Sequence, residues 1–298
     1  MTLNRVSAAD ATCGECPCGC FTRQRRYSTD LTDQEWAVLE PLLPAPAFLT
    51  GRGGRPEKHH RRTMISAIFY AADNGCKWRN LPADFPPWRT VYGFLRRWRG
   101  DRTLHDLVDD LRAIIRRAAG RKDKASAGII DAQSVHESAE GIVPSATSGY
   151  DQHKNVNGRK RHLLVDTLGL LIAVAVSPAN VPDRDGAVVL LLRAGARGTR
   201  PALIWADHGY SGGIWIAWAL DKLGTVIEIV EQAKGQKGFQ VLPRRWVVER
   251  TNAWISRRRR CARDYERLVS QHEAMVQIAA IIQMTRRAAK ITQATAQV

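Results

Sequence analysis

The chain has 298 residues, enough for one full-sized core and a smaller appended domain. Its 45 Lys and Arg residues outnumber 29 Asp and Glu residues, and the formal net charge of +16 favours a polyanionic partner, above all nucleic acid. No apolar run approaches the roughly 20 residues of a membrane-spanning helix, and residues 1–26 do not resemble a secretory signal, so we expect a cytosolic protein.

Cysteines crowd at the N-terminus, where Cys13, Cys16, Cys18 and Cys20 lie within eight positions. The other two are isolated, which excludes the disulfide framework of a small secreted protein. The spacing of the four is tighter than that of a usual zinc site, and we expect residues 1–26 to be a disordered tail rather than a metal site.

A helical domain is predicted over residues 27–120. Thr32 to Glu35 has the form of a capping box, and Trp36, Leu39 and Leu43 follow at helical spacing. Later helices are predicted at Arg62 to Asp73, after Pro86-Pro87, and at Leu104 to Ala119, and residues 121–126 resemble a charged linker.

The helix after Pro87 carries an apolar stripe on one side and arginines elsewhere. With the preceding helix it predicts a helix-turn-helix-like unit that binds DNA. The alternative is a surface helix whose arginines are only solvated. The arginines are Arg89, Arg96, Arg97 and Arg99.

From Gly128 onward, short β-rich runs alternate with helical patterns, which predicts an α/β domain with a mixed sheet over residues 127–290 and a tail at 291–298. A hairpin is expected at Leu168-Gly169. The predicted strands are Gly128 to Ile130, His162 to Asp166, Leu170 to Val176, Leu203 to Ala206 and Thr225 to Val230, with helices at Asp183 to Ala194, Ser211 to Leu223 and Trp246 to Ala289.

Three acids are the candidate catalytic residues. Asp131 and Asp207 each follow an apolar run directly, so each is expected at the end of a buried strand, where sites form in open α/β sheets. Helix capping is the alternative role for both. Glu249 is the only acid between Arg244 and Arg263, on a predicted helix. Three carboxylates suit Mg²⁺, and two such ions can drive in-line phosphoryl transfer on DNA.

The chain resembles bacterial insertion-sequence transposases of the DDE type, specifically the insertion-sequence-five family. The similarity spans Tyr27 to about Ala289 and depends on several short motifs in a fixed order. These are Leu31-Thr32-Asp33-Gln34-Glu35-Trp36, Gly75-Cys76-Lys77-Trp78-Arg79-Asn80-Leu81-Pro82, Asp131-Ala132-Gln133-Ser134-Val135, Gly158-Arg159-Lys160-Arg161-His162, Asp207-His208-Gly209-Tyr210 and Trp246-Val247-Val248-Glu249-Arg250-Thr251.

This resemblance implies an RNase H-like catalytic domain in which Asp131, Asp207 and Glu249 bind Mg²⁺ or Mn²⁺, and we expect two ions. It implies binding to the terminal inverted repeats and to target DNA, in a dimer or higher oligomer at the bacterial nucleoid. In the family's Tyr, Arg, Glu, Lys signature, Arg245 matches the Arg; Leu242 replaces the Tyr and Ser256 the Lys, with Arg257 as a substitute.

Several other charged residues are weaker candidates for a functional role. Lys160, Arg161 and His162 precede a strand and either contact DNA or form a solvated basic edge, and Arg250 is a further candidate DNA contact. Asp166 and Asp183 are expected in turn and cap roles.

Two functions remain open from the sequence. The first is a transposase that cleaves and transfers DNA strands. The second is a DNA-binding regulator with an inactive RNase H-like domain. A third possibility is a decayed element whose protein folds but no longer moves DNA.

Overall fold

The computed structural model describes residues 23–51, 56–138, 141–230 and 244–296. The helices are α1 Asp33–Leu39, α2 Arg61–Asn74, α3 Trp88–Gly100, α4 Thr103–Ala118, α5 Asp183–Ala196, α6 Gly213–Leu223, α7 Trp246–Ser256, α8 Arg259–Ala262 and α9 Val269–Ala296. The strands are β1 Ala127–His136, β2 Gly149–Asp151, β3 Val156–Asp166, β4 Leu171–Pro178, β5 Leu203–Ala206 and β6 Val226–Ile229. The four cysteines of the N-terminal tail lie outside the described residues.

Local signals in the helical part of the chain are confirmed. Thr32 caps α1, and its hydroxyl accepts from the Glu35 N–H while the Glu35 carboxylate accepts from the Thr32 N–H. Helix α2 ends at Gly75, whose φ of 67° lies in the left-handed region that glycine tolerates best.

The connection between α2 and α3 is longer than the three or four residues of a typical helix-turn-helix. It extends from Gly75 to Pro87 and contains a short 3-10 helix, Trp78–Asn80. Arg260 from the C-terminal part of the chain lies over the Trp78 ring and donates to the Cys76 carbonyl oxygen at 2.7 Å. The connection is therefore packed against the rest of the protein.

Helix α9 joins the two halves of the chain. Its residues Ile278 and Ile281 line a small apolar gap with Leu39, Ile68 and Leu107 of the first helices. One cluster of buried apolar residues includes helices α1–α4, α7, α9 and one face of the sheet. The helical part therefore shares a core with the sheet, although the sequence predicts two domains.

The sheet is mixed, as predicted, with strand order β2-β3-β1-β5-β6 and β4 paired to β3. Strands β1 and β3 are antiparallel from Gly128 opposite Asp166 to His136 opposite Gly158. Strands β1, β5 and β6 are parallel. A second apolar cluster packs α5 and α6 against the other face of the sheet.

Several predicted boundaries differ from the structure. β1 continues well past the apolar run, to His136, because β3 pairs with it along that whole length. Helix α9 continues through residues 291–296, where the sequence predicted a tail. Among the described residues, no helix is both long and apolar enough to cross a bilayer.

Candidate active site

Asp131 lies on β1, and Asp207 lies just past the end of β5, the parallel neighbour of β1. Asp207 directly follows β5, as predicted, and its carboxylate accepts from the Gly209 N–H at 2.9 Å. The prediction that Asp131 ends a strand is wrong, because it lies in the middle of β1. Parallel pairing of β1 with β5 stops at Ile129 opposite Trp205, and the same register two residues later brings Asp131 beside Asp207.

The two carboxylates repel each other. Burial, and then the negative charge of Asp207, raises the pKa of Asp131 to about 6. Hydrogen bonding and the charges of Lys154 and Arg245 oppose these effects. A pair of neighbouring like charges is stabilised by a shared proton or by a cation, and hard divalent cations prefer such oxygen ligands.

Glu249 is brought to these acids by helix α7. The Arg245 Nη2 atom lies 3.4 Å from Asp207 Oδ2 and 3.4 Å from Glu249 Oε1, so one nitrogen connects the two carboxylates. The Asn252 side-chain amide donates to Asp131 Oδ2 at 2.9 Å. Positions 245, 249 and 252 share one face of a helix, and that face is turned toward both strands.

In this conformation, none of the described residues forms a group of three His, Cys, Asp or Glu side chains close enough to hold a metal ion. Arg245 instead lies between Asp207 and Glu249. Its contacts of 3.4 Å are longer than the 2.7–2.9 Å of a strong charge-assisted bond, so a competing cation has little to displace.

The donor set nevertheless fits a divalent cation. It comprises three carboxylates, two of which repel each other, and the side-chain oxygen of Asn252 is buried without a hydrogen-bond partner among the described residues. Glu249 and Asp207 remain accessible, with 48% and 30% of their side chains exposed. One rearrangement, the departure of Arg245, would open the space between them.

Sequence reasoning did not assign three neighbours of the acids. The Asn252 side-chain amide donates to Asp131. Tyr210 is fully buried. Burial, and then the charges of Asp131, Asp183 and Asp207, raises the pKa of Tyr210 well above its usual value. Lys154 donates to the Ala132 carbonyl oxygen at 3.1 Å. Tyr210 stands within the motif segment that contains Asp207, and Asn252 directly follows the segment that contains Glu249, which was the available signal, whereas Lys154 had none.

The arginines of α3 lie where the sequence predicts. Arg89, Arg96 and Arg97 are exposed and Arg99 is half-buried. Arg245, Arg250 and Arg257 lie in or beside α7, of which only Arg245 contacts the acids. Leu242, the residue in place of the family's Tyr, lies outside the described residues.

Lys160, Arg161 and His162 are placed differently from either expectation, because all three are buried. Lys160 pairs with Asp183 at 2.8 Å, and Arg161 donates to the Cys261 carbonyl oxygen at 2.8 Å. His162 Nε2 lies 2.9 Å from the Ser177 hydroxyl. β3 has β1 on one side and β4 on the other, so these residues are not on a solvated edge.

The turn role expected for Asp166 is met, whereas the cap role expected for Asp183 is not. The Asp166 carboxylate accepts from the N–H groups of Leu168 and Leu170 at 2.8 and 2.9 Å and so shapes the predicted hairpin turn. Asp183 is the first residue of α5, after the N-cap Pro182, and its carboxylate pairs with Lys160 instead of capping the helix.

Comparison with known proteins gives independent findings. Residues 122–284 match a family model described as "Transposase DDE domain", and residues 31–108 match one described as "Putative transposase of IS4/5 family". A relative from Burkholderia cepacia, "Putative transposase for insertion sequence element IS402", is 30% identical over 129 residues, which are 41% of this chain and 60% of that protein. The chain thus spans less than two thirds of this curated relative.

A DDE domain implies an RNase H-like fold, with which the mixed sheet and flanking helices agree. Dependence on a divalent metal is general in such domains.

Proposed function

The chain belongs to the DDE transposases of the IS4/5 type, and from this premise we propose that it binds the ends of its insertion sequence and catalyses metal-dependent strand cleavage and strand transfer. The observation that carries the proposal is the convergence of three acids from distant parts of the chain. Asp131 lies on β1 and Asp207 just past the end of the adjacent β5, and one face of α7 contacts Asp131 through Asn252 and Asp207 through Arg245.

Asp131, Asp207 and Glu249 would hold the divalent cation, which we propose to be Mg²⁺ or Mn²⁺, with two ions at the complete site. When bound, such ions activate a water or a 3′-hydroxyl and stabilise the leaving oxygen. The three carboxylates would bind and orient the cations, and no side-chain nucleophile is needed. Arg245 would leave the carboxylates when the cation binds, and its guanidinium would then be available to a DNA phosphate.

DNA binding is assigned to the arginines that are accessible. We propose that Arg89, Arg96, Arg97 and Arg99 of α3 contact DNA from a region spanning residues 27–120, together with Arg250 and Arg257 beside the region 127–290 that carries the acids. Because a transposition reaction must hold two element ends, we also propose a dimer or larger assembly. We propose that the protein is located with the chromosome in the bacterial cytoplasm.

The test replaces each acid by its amide, as Asp131→Asn, Asp207→Asn and Glu249→Gln. With supercoiled plasmid carrying the element ends, we expect metal-dependent nicking to fall by at least roughly a thousandfold, because several kcal/mol of transition-state stabilisation is lost. Binding to the same ends should persist. The matched control is Lys222→Ala, a change at an exposed position on α6.

Two results would contradict the assignment. A variant of any of the three acids that cuts at the rate of the unmodified protein would remove that residue from the site. An unmodified protein that shifts end-containing DNA but never cuts it with Mg²⁺ or Mn²⁺ would be a DNA-binding regulator instead.

A further inference from the structure

A basic groove lies beside α7, away from the acids. Its volume is about 890 Å³, and it lies between α7, the β3–β4 turn and the C-terminal half of α9. Six of its lining side chains are basic and one is acidic. The basic residues are Arg250, Arg257, Arg258, Arg286, Arg287 and Lys290, and the acid is Asp73.

The groove and the acid site occupy different faces of the same helix. Arg245, Glu249 and Asn252 recur at spacings of four and three, which keeps them on one face. Trp246, Arg250 and Trp254 also recur at a spacing of four, but they begin one residue later and are rotated by about 100° or more around the axis. The groove is therefore not an extension of the acid site.

Positive charge in the groove is mostly uncompensated. Asp73 pairs with Arg258, and Arg286 lies 3.6 Å from Glu35. Within the part of the chain that the structure describes, no ion pair is found for the other four basic residues. These are Arg250, Arg257, Arg287 and Lys290.

Two of these groups are held close together. Arg250 Nη2 lies 3.4 Å and Arg287 Nη1 3.3 Å from the same oxygen, the Leu168 carbonyl of the hairpin turn. Burial, and then the charge of Arg287, lowers the pKa of Arg250. Two guanidinium groups on one neutral oxygen repel each other, and an anion between them would relieve that repulsion.

Aromatic rings fix Arg250 in place. Its guanidinium carbon lies 4.2 Å from the centre of the Trp246 ring and 4.6 Å from that of the Trp254 ring. Cation–π contacts on both sides restrict the side chain before any ligand arrives, which lowers the entropy cost of binding. The rings thus position Arg250.

We propose that this groove binds the phosphodiester backbone of DNA, so that Arg287 and Lys290 of α9 join Arg250 and Arg257 in one contact separate from the acid site and from α3. The inference rests on the proposed function. Arg250 and Arg257 are separated by about 10 Å along α7, a length of duplex that carries several phosphates. A single small anion would not reach both. The backbone belongs either to the element end or to target DNA, and the chemistry of recognition is the same for both.

The test removes two positive charges from the α9 side, in the variant Arg287→Ala/Lys290→Ala. The matched control, Arg117→Ala/Lys222→Ala, removes two charges from exposed positions on α4 and α6. Affinity is measured by fluorescence anisotropy over a salt series, with a duplex of the element end and an unrelated duplex of equal length.

For the groove variant we expect binding weakened on the order of tenfold and a salt slope reduced by about two, since each lost phosphate contact removes roughly one released counterion. The control should match the unmodified protein. Loss confined to the element end would identify that end as the occupant, and equal loss with both duplexes would identify a contact that target DNA also uses. Unchanged affinity and slope with both duplexes would overturn the proposal.

Arg257→Ala provides a second variant at an exposed position, in case the double variant folds poorly by circular dichroism. Its salt slope should fall by about one, and an unchanged slope would count equally against the groove. These binding measurements do not depend on whether the protein cuts DNA. An unmodified protein that binds but never cuts refutes the enzyme and leaves the groove standing, whereas a normal salt slope in the variants of a cutting enzyme refutes the groove alone.

Discussion

Two groups of charged side chains in this protein are built in opposite ways. One is the acid site, formed by Asp131, Asp207, Glu249 and Arg245. The other is a buried network, formed by Arg159, Asp264, Glu266, Arg260 and His272, which ties β3 to the segment before α9.

Every charge of the buried network has close partners. Arg159 and Asp264 are completely buried and lie 3.1 Å apart. Arg159 also donates to the carbonyl oxygens of Glu266 and Arg267 at 2.8 and 3.0 Å, and Arg260 pairs with Glu266 at 2.6 Å. Burial favours a higher pKa for Asp264, but hydrogen bonds from His272 and the Glu266 N–H, with the charge of Arg159, lower it overall.

The side chains of the acid site are more exposed and have longer contacts with their partners. Glu249 is about half exposed, and Arg245 reaches it and Asp207 only at 3.4 Å. Burial and the charge of Asp207 raise the pKa of Asp131. We infer that the network serves stability, because its charges are satisfied within the fold, and that the acid site is kept available for a ligand at some cost in stability.

The largest expected effect on stability follows from Asp264→Asn. The change leaves Arg159 buried without its counter-charge, and we expect the free energy of unfolding to fall by about 3 to 5 kcal/mol. Urea denaturation followed by tryptophan fluorescence measures it. Glu249→Gln is the comparison, with an expected change below about 1 kcal/mol, since its ion pair is exposed. Equal losses in the two variants would remove the distinction between the two groups.

A smaller effect is expected from the pH dependence of stability. Burial lowers the pKa of His162 from an ordinary 6.5 to about 4. The unfolded chain therefore takes up a proton as the pH falls below 6.5 while the folded protein does not, so this group destabilises the fold progressively between pH 6.5 and 4. Between pH 7 and 5 the loss is about 2 kcal/mol.

The measurement compares unfolding free energies at pH 7 and 5 for the unmodified protein and for His162→Gln, whose side chain does not titrate. The variant should lose less stability on acidification by about that amount. Identical pH profiles would show that His162 is protonated in the folded state, and so is not buried as the structure has it.

The smallest effect is expected for an exposed pair on the helical part. Arg117 and Asp123 lie 3.5 Å apart with 62% and 51% of their side chains exposed. Arg117→Ala should change the unfolding free energy by less than about 0.5 kcal/mol, because solvent and salt screen the pair. A loss comparable to that of Asp264→Asn would mean that burial is not what separates strong from weak pairs in this protein.

Features that depend on neighbours in the chain were predictable. The capping box at Thr32, the left-handed glycine that ends α2 and the turn around Gly169 each follow from a few adjacent residues whose backbone preferences are local. The apolar stripe of α9 and the position of Asp207 after β5 were likewise predicted from periodicity. The sequence predicted the three acids because apolar runs precede Asp131 and Asp207 and because Glu249 is the only acid between Arg244 and Arg263.

Other features required the tertiary structure. Asp131 was expected at a strand end because the apolar run stops there, yet pairing with β3 continues the strand, and pairing partners are distant in sequence. Lys160, Arg161 and His162 looked like a basic edge, and only the tertiary structure shows that β3 is enclosed and that these side chains contact partners inside the fold.

The residue types thus determined which side chains could do chemistry, and the local pattern determined most helices and strands. The packing of α7 across the sheet decided which side chains meet, since the contacts of Arg245 and Asn252 join positions separated by 38 and 121 residues. Such contacts depend on how whole elements bury their apolar faces, and no short stretch of sequence contains that information.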